Sequence, residues 1–168
     1  MPDLQAALHA HDRAVQAFLA SAGAVAPEGW NRPRAEGKWS PGQIAEHLAL
    51  SYEASGEVLR GGAPGPVPPR LLRPVIGTLL LRPVLWLGRF PLASKAPQVL
   101  RPGHSTADAP VLLARLHAAA AAFESAAREV RGTDIAHPAF GRLPLADLVR
   151  LQEIHTRHHH GQLPSATR

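Results

Sequence analysis

At 168 residues the chain has the length of a single domain and can bury a core without staples. Its 45% apolar content sets global disorder aside, and the absence of cysteine excludes a disulfide framework, a thiolate zinc cluster and a cysteine nucleophile. A formal charge of +5 and a pI near 10.9 would suit a polyanion. However, the basic residues are almost all arginine, are scattered along the chain and accompany no DNA or RNA motif, so nucleic-acid binding is not expected.

The start, MPDLQAALHAHDRAV, lacks the cationic and apolar regions of a signal peptide, which points to a cytoplasmic protein. Behind Asp3 as cap, Leu4, Leu8, Val15, Phe18 and Leu19 fall at helical spacing and predict a first helix to about Ala22. A loop with Pro27, Gly29, Asn31 and Pro33 follows, carrying Trp30 and Trp39, which are expected to fold back onto the helices. Ser40-Pro41-Gly42-Gln43 reads as a capping box with proline at the first helical position. The second helix should run to about Arg60, with an inner stripe of Ile44, His47, Leu48, Ser51, Ser55 and Leu59.

Gly61 to Pro69 is glycine and proline and must be a surface connection, part of a Pro/Gly-rich stretch over about 61–102. Leu71 to Phe90 is apolar but broken by Arg73, Pro74, Arg82, Pro83 and Arg89, so it cannot span a membrane, and Leu79 to Phe90 holds at most one short helix. Leu112, Leu116, Ala119, Phe123, Ala127 and Val130 mark a third long helix between Asp108 and Val130, stopped by Gly132. After HPAFGRLP a fourth helix is expected from Leu145 to about Leu163, and His137-Pro138 with Phe140-Gly141 should shape the turn into it. No strand-like alternation of any length appears, so the expected fold is one all-α domain over 1–168.

The fourth helix carries EIHTRHHHGQL, in which His155 and His159 lie four apart and therefore on one helix face with Leu148, Gln152 and Gln162. Two imidazoles so placed can share a divalent ion, whereas His158 and His160 project elsewhere. His47 reaches the same core from the second helix. Three imidazoles from two helices make an open site with positions left for water or substrate. His9, His11, His104 and His117 read as surface or cap residues. Gln162, Ser51 and Ser55 lie near the site without an assigned role, and packing is the default for Trp30, Trp39, Trp86 and Tyr52. Glu46 and Glu153 sit about 100 to 200 degrees around their helices from the histidines, so no general base is assigned.

The entry WSPGQIAEHL, the segment HPAFGRLPLADLVRLQEIHTRHHHGQL and the spacing between them resemble the DinB-like superfamily, also called the DinB/YfiT-like metalloenzymes, over nearly the whole chain. The resemblance implies an antiparallel four-helix bundle holding a divalent metal, commonly zinc or nickel, on three histidines that correspond to His47, His155 and His159. It further implies a small-molecule substrate, with a low-molecular-weight thiol such as bacillithiol or mycothiol as cosubstrate in some relatives. A metal-bound thiol is deprotonated at neutral pH, which suits a chain without cysteine, while in a hydrolase the same position would hold an activated water. Two functions remain open at this level: a metal-dependent transferase or hydrolase, and a ligand- or partner-binding bundle with a vestigial site. The resemblance also allows a homodimer through the bundle surface, although no residue pattern indicates one.

Overall fold

The computed structural model describes residues 3–63, 69, 71–90, 96–103, 107–137 and 140–164. The chain is mostly helical. Asp3 caps α1 (Leu4–Gly23) by accepting the Gln5 backbone N–H at 3.1 Å. A short α2 (Pro27–Trp30) then delivers Trp30 to the core, where its indole N–H donates to the Ala107 carbonyl at 3.0 Å. Helix α3 (Pro41–Leu59) begins with both bonds of the expected capping box: the Ser40 hydroxyl accepts from the Gln43 backbone at 3.2 Å, and the Gln43 side chain accepts from the Ser40 backbone at 3.1 Å.

The proline-broken region holds more helix than its punctuation suggests. A short α4 (Arg73–Ile76) runs through a π turn (Gly77–Leu81) into α5 (Arg82–Leu87), which ends on Gly88 in the left-handed conformation at φ 62°. Pro83, which has no N–H to donate, stands at the second position of α5, and the Arg82 N–H reaches five residues back to the Gly77 carbonyl. The widened turn carries the chain past a residue that cannot continue the regular ladder. Of the expected Gly61–Pro69 connection, residues 64–68 lie outside the described residues, as do Pro91, His104 and Pro138.

Helix α6 (Ala109–Glu129) and helix α7 (Leu145–His160) complete the long helices. Helix α7 stops one turn short of the predicted Leu163, because the Gly161 and Gln162 N–H groups close a final turn onto Arg157 and His159. The all-α expectation is corrected between α6 and α7, where β1 (Asp134–His137) and β2 (Gly141–Pro144) form a two-stranded antiparallel sheet. Ile135 faces Leu143 across it, and both are buried. Asp134 pairs with Arg142 at 2.9 Å, and the His137 Nδ1 accepts the Phe140 N–H at 3.3 Å between the two strands. Strands of four residues contribute one inward side chain each, too few to show as alternation.

Helix α3 packs chiefly along α6, and α1 along α7 and α6. The core is built from Leu8, Phe18, Leu48, Leu116, Phe123 and Leu148. One polar network crosses it. His11, expected at the surface, is instead fully buried: its Nδ1–H donates to Glu124 at 2.7 Å, and its Nε2 accepts from the Tyr52 hydroxyl at 2.9 Å. The Tyr52 oxygen in turn accepts from Thr156 at 2.5 Å. The four residues come from α1, α6, α3 and α7, so one hydrogen-bonded chain ties the four long helices together.

Candidate metal centre

Helical phase places His47 on the inner face of α3, nearly two turns into the helix, and His155 and His159 on successive turns of α7. The three rings meet. The Nε2 of His155 lies 3.0 Å from the Nε2 of His47 and 3.1 Å from the Nε2 of His159. His47 and His159 are buried, and His155 keeps a partly exposed edge. Among the described residues this is the group of side chains that could hold a metal ion, and no carboxylate joins it.

What the three nitrogens can do follows from their other ring atoms. The His47 Nδ1 lies 2.7 Å from the Leu100 carbonyl, which only accepts, so this Nδ1 carries the proton and the Nε2 presents a lone pair. The His159 Nδ1–H donates to the Gln162 Oε1 at 2.8 Å, and the Gln162 amide donates onward to the His158 Nε2 at 2.9 Å. The His155 Nδ1–H donates to the Ser51 hydroxyl at 3.3 Å; Ser51 donates to the Gln152 Oε1 at 3.3 Å, and the Gln152 amide to Ser55 at 2.5 Å. Each ring thus has a partner behind it that can accept its Nδ1 proton, and with all three protonated there the Nε2 atoms present lone pairs toward the His155 nitrogen at the centre of the group. That arrangement is repulsive unless a cation lies between them, and it is the outer-partner pattern of histidines that bind metal.

The spacing fits as well. Nitrogens about 2.1 Å from an ion stand roughly 3.0 Å apart at right angles and about 3.4 Å apart at tetrahedral angles; the two close separations fall at the short end of that range, and all three ligand atoms lie within 4.8 Å of one another. A proton is a poor substitute for the ion. Burial holds the His159 imidazole down at about 3, with the neighbouring His47 adding to the effect, although its bond to Gln162 opposes it. Burial pushes His155 well below the ordinary imidazole value, reinforced by His159 and His47, and it lowers His47 against the Leu100 bond.

A pH dependence follows for metal-free protein. His159 binds its proton near pH 3 folded and near 6.5 unfolded, so below 6.5 the unfolded state takes up more protons and stability falls with pH. Glu124, held below the usual carboxylate range by the bond from His11, works in the same direction. Between pH 7 and 4.5 the His159 contribution alone is on the order of 2–3 kcal/mol, or roughly 5–10 °C in Tm for a chain of this size. Thermal unfolding monitored by circular dichroism should show this slope in wild type and a shallower one in His159→Asn; equal slopes would exclude the assignment.

Aromatic rings border the three histidines. Trp39 lies 4.7 Å from the His47 ring and is stacked on His159 at 6.0 Å, while Phe90 lies 5.7 Å from His155 and 5.3 Å from His158. His160 turns away to Ser21 at 2.8 Å on α1, and the His158 Nε2 accepts from the Gln162 amide at 2.9 Å. His9 and His117 are exposed as expected. Glu46 accepts the Gly103 N–H at 2.9 Å and Glu153 pairs with Arg157, which directs both away from the imidazoles. Trp86 is exposed rather than packed. Ser51 was legible as a residue on the His47 face; its bond to His155 was not, because it depends on how α3 and α7 are juxtaposed. The Leu100 carbonyl left no trace in the sequence at all.

No helix of the described residues is long and apolar enough to cross a membrane. No curated protein and no solved structure compared with the chain matches it. A family model described as the DinB superfamily matches residues 10–163, a span that holds all three histidines and the residues orienting them, and the chain therefore belongs to the DinB superfamily.

Proposed function

We propose that this chain, one domain over 1–168 with its long helices arranged as the antiparallel four-helix bundle of the family, is a cytoplasmic metal-dependent transferase. In this reading His47, His155 and His159 hold one divalent ion, zinc or nickel, and a low-molecular-weight thiol is delivered to a small electrophilic substrate. The observation that carries the reading is the convergence of three Nε2 lone pairs, each fixed from its Nδ1 side. A bound ion would supply a Lewis acid that lowers the pKa of a thiol or a water.

The chain's own residues do the rest. Ser51, Gln162 and the Leu100 carbonyl keep the imidazoles in one tautomer and one orientation, and Trp39 and Phe90 present apolar walls suited to the body of a substrate. Glu46 and Glu153 are engaged elsewhere. A general base on a carboxylate is therefore not at hand, which favours a nucleophile that the ion itself deprotonates over a hydrolase with a protein base.

The experiment is metal analysis of untagged protein followed by a screen of low-molecular-weight thiols against reactive electrophiles. Turnover that disappears with the metal and returns on reconstitution supports the reading. Metal bound without turnover of any thiol would leave a binding bundle instead. Gln162→Ala, which removes the acceptor behind His159, is expected to weaken metal binding about 10- to 100-fold in chelator competition, and Gln162→Glu to recover most of it. Unchanged affinity in the alanine variant would dismiss Gln162 as an orienting residue.

A further inference from the structure

The cations of this chain are spread along it, but the acids are not. Between Glu57 and Asp108 there is no aspartate or glutamate, while seven of the 18 lysines and arginines fall there, so the remainder of the chain has more acids than cations. The same stretch carries the most exposed apolar side chains of the molecule. Leu71 is 89% exposed, Leu79 67% and Trp86 84%, and Leu72 and Val75 are half exposed.

The helical path from α4 to α5 explains how they come together. Leu81, Val84 and Leu85 turn inward and are buried, while Leu72, Val75, Leu79 and Trp86 recur at intervals of three, four and seven along the outer side. Arg82 belongs to the same outer stripe, Arg89 follows just beyond Gly88, and both are exposed. The outward face of this segment is therefore leucine, valine and tryptophan interleaved with arginine, with no acid of its own, and the nearby charge that the structure sets against Arg82 is Asp147 of α7.

We propose that this face docks on the surface of an anionic lipid bilayer. An interfacial helix needs this combination: aliphatic and indole side chains to enter the boundary between headgroups and acyl chains, and guanidinium groups on long stems to remain among the phosphates. A polyanion such as DNA offers nothing for Leu71, Leu79 and Trp86 to enter. A second copy of this chain meeting the face through a two-fold axis would set a segment of only positive charge against itself. The patch runs up to Phe90, whose ring lies against His155, so docking holds the rim of the histidine site at the lipid boundary. The proposal does not depend on the histidines binding a metal.

Flotation of the full chain with vesicles tests it. The protein is expected to rise with phosphatidylcholine vesicles containing an equal part of phosphatidylglycerol and to stay behind with phosphatidylcholine alone. The Trp86 fluorescence, taken as wild type minus Trp86→Phe, should shift to the blue in the first case only. Arg82→Gln is expected to weaken partitioning about five-fold, and the Leu79→Ser/Trp86→Ser pair to weaken it at least about ten-fold, with the helical circular dichroism unchanged. If the pair fails to fold, Arg82→Gln and Arg89→Gln carry the test. Absence of flotation with the anionic vesicles, or flotation undiminished in the variants, overturns the proposal. So does a wild-type dimer that the serine pair disperses without any vesicle binding, or a Trp86 shift obtained with polyglutamate and not with vesicles.

Discussion

Replacing His155 with alanine is expected to release the metal while leaving the protein folded. His155 is the common member of both close nitrogen pairs, lying 3.0 Å from His47 and 3.1 Å from His159, so its loss removes both pairs at once and leaves too few ligands for an open three-histidine site. The loss of affinity should exceed the 10- to 100-fold typical of an outer hydrogen-bond partner. The fold should tolerate the change, because His155 is partly exposed and its bond to Ser51 is a long one at 3.3 Å. Metal retained per protein, read by elemental analysis after dialysis against a chelator, should fall to background in His155→Ala and His47→Ala alike. Full retention in both variants would sink the site. If unfolding midpoints fall along with the metal, adding metal back to wild type should raise its midpoint and leave that of the variants unmoved.

The second large effect lies away from the metal. His11→Ala deletes a fully buried ring and leaves Glu124 without the donor that holds its carboxyl low, and Tyr52 without its acceptor, in a core that also pushes the Tyr52 hydroxyl pKa up through burial. The cavity and the orphaned polar groups together cost about 3–5 kcal/mol. Chemical denaturation should show this, while metal content per folded molecule stays at the wild-type level. Tyr52→Phe is the milder comparison, because it keeps the ring and removes only the hydroxyl shared by His11 and Thr156. A His11 variant as stable as wild type would mean that the four-helix network adds nothing to the fold.

The contrast between these two sets of histidines shows what the sequence could reveal. His155 and His159 were legible because an i, i+4 pair must share a helix face whatever the rest of the chain does. His47 was legible because it interrupts an apolar stripe between Ile44 and Leu48. By the same logic His11 was readable too. It falls between Leu8 and Val15 in the buried phase of α1, on the stripe that continues to Phe18 and Ala22, and a histidine in that phase has to find partners inside. Its acceptor, Glu124, is distant in sequence and sits on a helix rich in alanine, which hid the pairing. The hairpin over 134–144 and the helical path through Pro83 were obscure for a different reason: each depends on a local backbone adjustment, four-residue strands in one case and a π turn in the other, that residue periodicity does not register.

The bond from His47 to the Leu100 carbonyl has a consequence for how this site can vary. The acceptor belongs to the main chain, so every residue type at position 100 brings the same oxygen, and substitution scanning would pass over the position as neutral. What it does not tolerate is a change in chain length. The oxygen is aimed by the short 3-10 turn Gln98–Leu100, between Pro97 and Arg101, and adding or removing one residue there would rotate a different peptide unit toward the imidazole. In engineered variants, the side chain at this position is therefore expected to be replaceable, whereas the number of residues between Pro97 and Pro102 is not.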